Sequence, residues 1–386
     1  MYGSAYGHGR HPNSGGPCRQ FLMSATSALA LTVFAIAMTA EDARADDECG
    51  QPTSVTYCNG AAYNDITYQS GTNLVLNNAA MVVNGDINVG SGILGAKPAT
   101  ITTTSYQSLG GALNVKSSDT NASLQITEGS SDGSSIIAGP LTATTTGRGN
   151  AVANIQSGTI SVTDFYNAVT ALAQGSGDAI VNISGNASIE AEISKTAILA
   201  NNTGSGAANI SMTAGNVAGI VEARGIDGSI DISGGEITGG IIAASDGGDF
   251  SISLTGGTLT YLYDVFEDDD FDEVIALDVG GNGSVPHSSI YIDGATIYAP
   301  ANVFLSIGSD VAPVFGSTNR IVVDDQLGQT FLQTALLVDV RLAGTASIEF
   351  NGGTLSYVTS NSQINAALSA FSATEDTSVT IRDGAI

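Results

Sequence analysis

The chain has no tryptophan, and its 386 residues include only 11 Lys and Arg, 3 His, 3 Cys and 8 Pro. Each scarcity excludes something. Nucleic acid and anionic lipid both need Lys and Arg to neutralise phosphate, so 37 acids against 11 bases, a formal charge of −26, argue against either as a partner. Aromatics make up only 6%, so the core of so long a chain has to be aliphatic. His8 and His11 lie ahead of a leader-like segment, leaving His287 as the one histidine beyond it. Gly129-Ser130-Ser131-Asp132-Gly133 has the spelling of a nucleophile elbow, but Ser134 to Ile137 reads as a strand where that elbow needs a helix. A Ser131–His287 hydrolase is therefore not expected, and neither a phosphate-binding loop nor a dinucleotide fingerprint is present. With no proline-rich linker, the text reads as one domain after the leader.

The amino terminus has the layout of a secretory signal. Arg10 and Arg19 precede an uncharged apolar stretch from Phe21 to Ala40, and Ala43-Arg44-Ala45 supplies a small-x-small cleavage pattern. Cleavage between Ala45 and Asp46 is expected, making residues 1–45 a signal peptide and 46–386 the exported chain, with no later stretch apolar and long enough to span a membrane as a helix. Cys18 leaves with the signal. Cys49 and Cys58 remain as a pair, and in an oxidising compartment they are expected to form a disulfide closing the first coil. Their C-x8-C spacing, without a nearby His, does not suit zinc.

Glycine is what the chain has in abundance, 48 residues of it. From Leu124 onward one form recurs: apolar-x-apolar-x-x-Gly-x-apolar. The stretch 230–262 holds two clear copies, Ile230-Asp231-Ile232 before Gly234-Gly235 and Ile252-Ser253-Leu254 before Gly256-Gly257. Alternation puts one face of a pleated strand inward, and glycine permits a tight corner. Each such unit buries one face and needs a copy stacked on it, which is the logic of a solenoid. Openings at Leu124, Ala153, Val181, Ile210, Ile230, Ile252, Ile290, Ile348 and Val379 are separated by 20 to 58 residues. The fold expected is an all-β, single-stranded parallel β-helix of about 12 coils, each rising about 4.8 Å. Residues 46–121 form amino-terminal capping coils carrying the Cys pair, with Leu74-Val75-Leu76, Met81-Val82-Val83 and Ile87-Asn88-Val89 as candidate strands; residues 122–386 carry the legible repeats. A β-sandwich also yields short strands, but has no reason to repeat one motif along the chain. Asp164 to Gln174 and Ser362 to Phe371 are the two stretches expected to make a short helix or turn over one end or side.

The densest charge is Asp264 to Glu273, DVFEDDDFDE. Its spacing matches no EF-hand and Gly280 to Val285 lacks the Asp of a calcium nonapeptide, so a solvated insertion is expected, with no metal or cofactor. Tyr261, Tyr263, Tyr291, Tyr298 and Tyr357 cluster late in the chain; as a group they are expected to stack coil on coil over the aliphatic core, the alternative being a platform for a sugar or a protein.

A cleaved leader, an early Cys pair in the context ECG…YCNG, and glycine-turned repeats such as Ser229 to Ile237 and Ser347 to Leu355 together resemble the passenger region of Gram-negative autotransporters. The resemblance implies a right-handed parallel β-helix, exported to the cell surface, outer membrane, periplasm or medium and acting structurally or in adhesion on an unknown protein or glycan partner, without catalysis. The alternative is a carbohydrate-active β-helix enzyme, although of the polygalacturonase signatures only Asp324-Asp325 is met outside the leader. The family's membrane barrel, a series of about ten-residue alternating segments, is not spelled in this chain. Val379 to Ile386 has repeat form with no cap following, so end-to-end self-association or fraying of the last coils is expected.

Overall fold

The computed structural model describes residues 49–91, 98–127, 135–162, 167–192, 195–261, 273–279, 287–299, 304–309, 318–340, 344–356, 368–372 and 376–382. All belong to the unit 45–386. Cleavage at Ala45–Asp46, the Gly129–Gly133 motif, Tyr263, Tyr357, most of the acidic run and the last four residues lie outside the described residues.

Alternating text becomes strand throughout. The described strands fall into three sheets of 13, 12 and 12 strands, and no helix occurs among them. Successive strands enter the first, second and third sheet in turn and then the first again, so each pairs in parallel with its equivalents one coil away. Ala122–Ile126 lies against Ala151–Ile155, which lies against Ala179–Ile183, in unbroken register. This is a parallel β-helix of 12 coils plus one further strand, Thr377–Ile381, at the carboxyl end. The expected strands Asn73–Asn77, Val82–Val83 and Ile87–Ser91 are all present, one in each sheet.

Where they are described, at residues 167–174 and 368–371, neither of the two stretches expected to make a short helix or turn is helical. Val169–Ala173 and Leu368–Ser372 are strands of the third sheet, paired with the coils before them. Val169, Ala171 and Ala173 point inward on period two, and stacking on Leu141, Ala143 and Thr145 outweighs a helical propensity that is only a weak prior. Glu273 also departs from expectation: instead of ending a loop it opens the strand Glu273–Val279.

The repeat's glycine turns the first sheet into the second. Gly235 and Gly257 have φ of 92° and 84°, a left-handed conformation that a Cβ resists. Inward positions are Ile, Leu, Val and Ala, joined by four fully buried large rings, Tyr68, Tyr106, Phe250 and Phe350. Phe250 fits because its register partner is Gly228, where a Cβ would come within 2.6 Å of the ring. At the amino end the inward residues turn polar. Thr56 and Thr72 are buried with their hydroxyls 3.1 Å apart, Thr72 donates to the Thr53 carbonyl at 2.7 Å, and Tyr68 donates to the Gly50 carbonyl at 3.0 Å. The segment 49–53 is thereby tied to the first coils.

Candidate functional site

A parallel β-helix offers function its outward side chains, because the inward ones are committed to the core. Outward residues come at every second position and stack from coil to coil about 4.8 Å apart, so they form columns running the length of the rod. On the first sheet one column reads Thr102, Gln125, Asn154, Asn182, Ser211 and Asp231. Asn182 Nδ2 donates to Asn154 Oδ1 at 2.6 Å within the column, and Thr102 donates diagonally to Asn73 Oδ1 of the adjacent column at 3.0 Å. On the third sheet Asn114 Nδ2 donates to Asn88 Oδ1 at 3.0 Å. Neutral amides and hydroxyls suit such columns, since each donates to one neighbour and accepts from the other.

A second kind of ladder runs along the corner between the third and first sheets. At the start of each first-sheet strand there stands one aligned residue, just ahead of it or as its first residue: Asn121, Asn150, Asp178, Ala207, Asp227, Asp249 and His287. The side-chain oxygen of each acid or amide accepts the backbone N–H of the equivalent residue one coil on. Asn121 takes Asn150 at 2.9 Å, Asn150 takes Asp178 at 2.9 Å, and Asp178 takes Ala207 at 2.9 Å. Asp227 takes Asp249 at 2.8 Å, and Asp249 takes His287 at 2.8 Å. His287 Nδ1 in turn sits 2.8 Å from Thr318 Oγ. His287 thus stands in a structural column, and the three carboxylates of this ladder, Asp178, Asp227 and Asp249, are backbone acceptors. The matching of Gly147-Arg148-Gly149-Asn150 to Gly175-Ser176-Gly177-Asp178 was the sequence signal for this ladder, and reading strands alone passes over it.

Ion pairs lie apart from one another: Arg148 with Asp119 at 3.0 Å, Arg320 with Glu349 at 2.8 Å, and Arg224 with the buried Glu222, whose other oxygen accepts from Thr196 Oγ1 at 2.8 Å. The Arg148 guanidinium holds the half-buried Asp119 carboxyl below its usual range. Among the described residues no three His, Cys, Asp or Glu converge as a metal site. Cys49 and Cys58 are joined, with Cα atoms 4.9 Å apart.

The tyrosines part ways. Tyr261 is buried at 4% exposure and serves the core. Tyr291 donates to Asp293 Oδ2 at 2.9 Å; partial burial and this carboxylate push its phenol up to about 12. Tyr298 is 45% exposed on the outer face of the second sheet, and its ring meets that of Phe331, one coil on, with centroids 5.5 Å apart and planes at 48°. Expected as core cover, Tyr298 is instead half of a solvent-facing aromatic pair, because residue 298 follows the inward Ile297 and the pleat turns it out.

No family model, curated protein or solved structure matches the chain.

Proposed function

We propose that this chain is an exported, surface-displayed adhesive rod of the autotransporter-passenger kind, working through its outward columns rather than by catalysis. The observation that carries the reading is the β-helix itself: three continuous sheets stack outward side chains into long columns. The leader-like segment before Asp46 and the disulfide near the amino end support it, since cystine persists mainly in oxidising compartments. A rod of 12 coil rises is about 58 Å long and presents many weak contacts side by side, which suits multivalent attachment better than capture of one small ligand.

The test is made on cells producing the full chain. Intact mass of the exported protein should begin at Asp46, externally added protease should digest it, and producing cells should attach to surfaces or to one another more than deletion cells. Protein retained inside with residues 1–45 attached, or attachment unchanged by deletion, would refute the proposal.

A further inference from the structure

We infer that the Tyr298–Phe331 pair is a binding platform for a neutral polysaccharide chain lying along the rod axis on the second sheet; this rests on the adhesive reading and specifies its ligand. Register puts Glu236, Thr258, Thr296, Phe331 and Thr354 in one outward column, and Thr238, Thr260, Tyr298 and Gln333 in the other. The two rings sit diagonally on adjacent coils and are ringed by the hydroxyls of Thr260, Thr296 and Thr354 and the exposed amide of Gln333. They stand on paired strands rather than on loops, so little ordering entropy is lost when a ligand settles on them.

The chemistry of the patch selects the occupant. An aromatic face offers apolar contact to the C–H side of a pyranose, and hydroxyls and an amide around it match the sugar's own hydroxyls. Neither column holds a Lys or Arg over these coils, whereas Asp324 ends the strand before the turn leading to Phe331, Asp325 opens that turn, and Glu236 stands in the same column as Phe331. In a chain of charge −26 that setting repels uronic acids, sulfated sugars and phosphates and leaves neutral sugar as the complementary class. Successive coils rise about 4.8 Å, close to the length of one sugar in an extended chain, so a linear glycan running along the columns meets a fresh pair of side chains at each unit.

The experiment titrates the full exported chain with cello-, malto- and galacturonate oligosaccharides and with a proline-rich peptide, the other ligand that favours exposed aromatics. Binding of at least one neutral oligosaccharide is expected, weakened about tenfold or more in Tyr298→Ala and Phe331→Ala and kept within about threefold in Tyr298→Phe. Thr260→Val, which keeps the branch and removes the hydroxyl, should weaken it several-fold, and this milder change stands in if an alanine variant melts early. No binding of any neutral sugar, equal binding by all variants, or preference for galacturonate or the peptide overturns the inference. Cell attachment measured on the same variants separates the two ideas: attachment that persists without sugar binding removes the glycan platform alone, and attachment absent from the parent chain removes the adhesive reading as well.

Discussion

At the scale of the residue, close approach between coils decides what is tolerated. A Cβ on Gly175 would lie 1.9 Å from the Gly147 carbonyl oxygen, and one on Gly204 would lie 1.7 Å from that of Gly175. The obstacle is backbone in both cases and cannot swing aside. Gly175→Ala should therefore lower stability by on the order of 2–3 kcal/mol, read by denaturant titration, while an alanine at Gly90, whose Cβ would meet nothing nearer than 3.9 Å, should cost far less. Tyr291 provides a pH signature. Its folded value of about 12 exceeds the ordinary 10.0, so the folded state holds the proton more tightly. The resulting stability is fully present below pH 10.0 and is lost as pH rises towards about 12. Tyr291→Phe should flatten the fall in melting temperature across that window, and tyrosinate absorbance should lose one late-titrating group. An unchanged profile would mean that other tyrosines dominate the alkaline transition.

At the scale of the element, the corner ladder and the amino-terminal tie are the devices to perturb. Replacing Asn150 by Ala leaves the Asp178 N–H without its acceptor, a loss of about 1 kcal/mol, whereas Asn150→Asp keeps an acceptor and should be nearly neutral. Equilibrium unfolding of the two variants side by side checks this. The Cys49–Cys58 bridge spans a sequence separation of 9, short enough that its removal is expected to cost on the order of 2–3 kcal/mol. Because solenoid coils contact only their neighbours, the loss should appear first as faster amide exchange in the strands Val55–Cys58, Ile66–Tyr68 and Asn73–Asn77 and not along the whole rod. Uniformly faster exchange after reduction would contradict a purely local tie. These elements were partly legible. Two cysteines nine residues apart pointed to the bridge, and a glycine after apolar-x-apolar spells the first corner. Val169–Ala173 was not legible, because its outward Leu172 blurs the alternation and lets the stretch pass for a helix.

At the scale of the whole molecule, unbroken register makes coils interchangeable. Ala151 and Ala179 are register partners, and Asn150 and Asp178 hold the same corner position. Deleting residues 151–178 joins Asn150 to Ala179 and removes one full coil. The shortened chain should fold with an unchanged β-type circular dichroism spectrum and a maximum dimension about 4.8 Å smaller by small-angle scattering. Deleting 151–164 alone removes two strands and leaves the third, so it should abolish cooperative folding above that coil. Equal tolerance of both deletions would contradict coil-by-coil stacking.

The sequence by itself determined the class of fold, the aliphatic core and the first corner, because these follow from local rules: period-two alternation, glycine where φ is positive, and too few aromatics for any other core. Beyond Ile87-Asn88-Val89 it left the third sheet unmarked, since Leu199 and Ile242 point outward there while Asn202 and Ser245 are buried. It also hid a coil between Ile290 and Ile348, which register places at Ile321, where Val322, apolar between the inward Ile321 and Val323, breaks the alternation. Only the tertiary structure decided which distant residues share a column. Coil lengths vary, so no fixed spacing aligns Tyr298 with Gln333, sets Tyr298 diagonally beside Phe331, or aligns Asp249 with His287. Their meeting is set by parallel pairing of whole strands, a sum over many backbone hydrogen bonds that no short motif encodes.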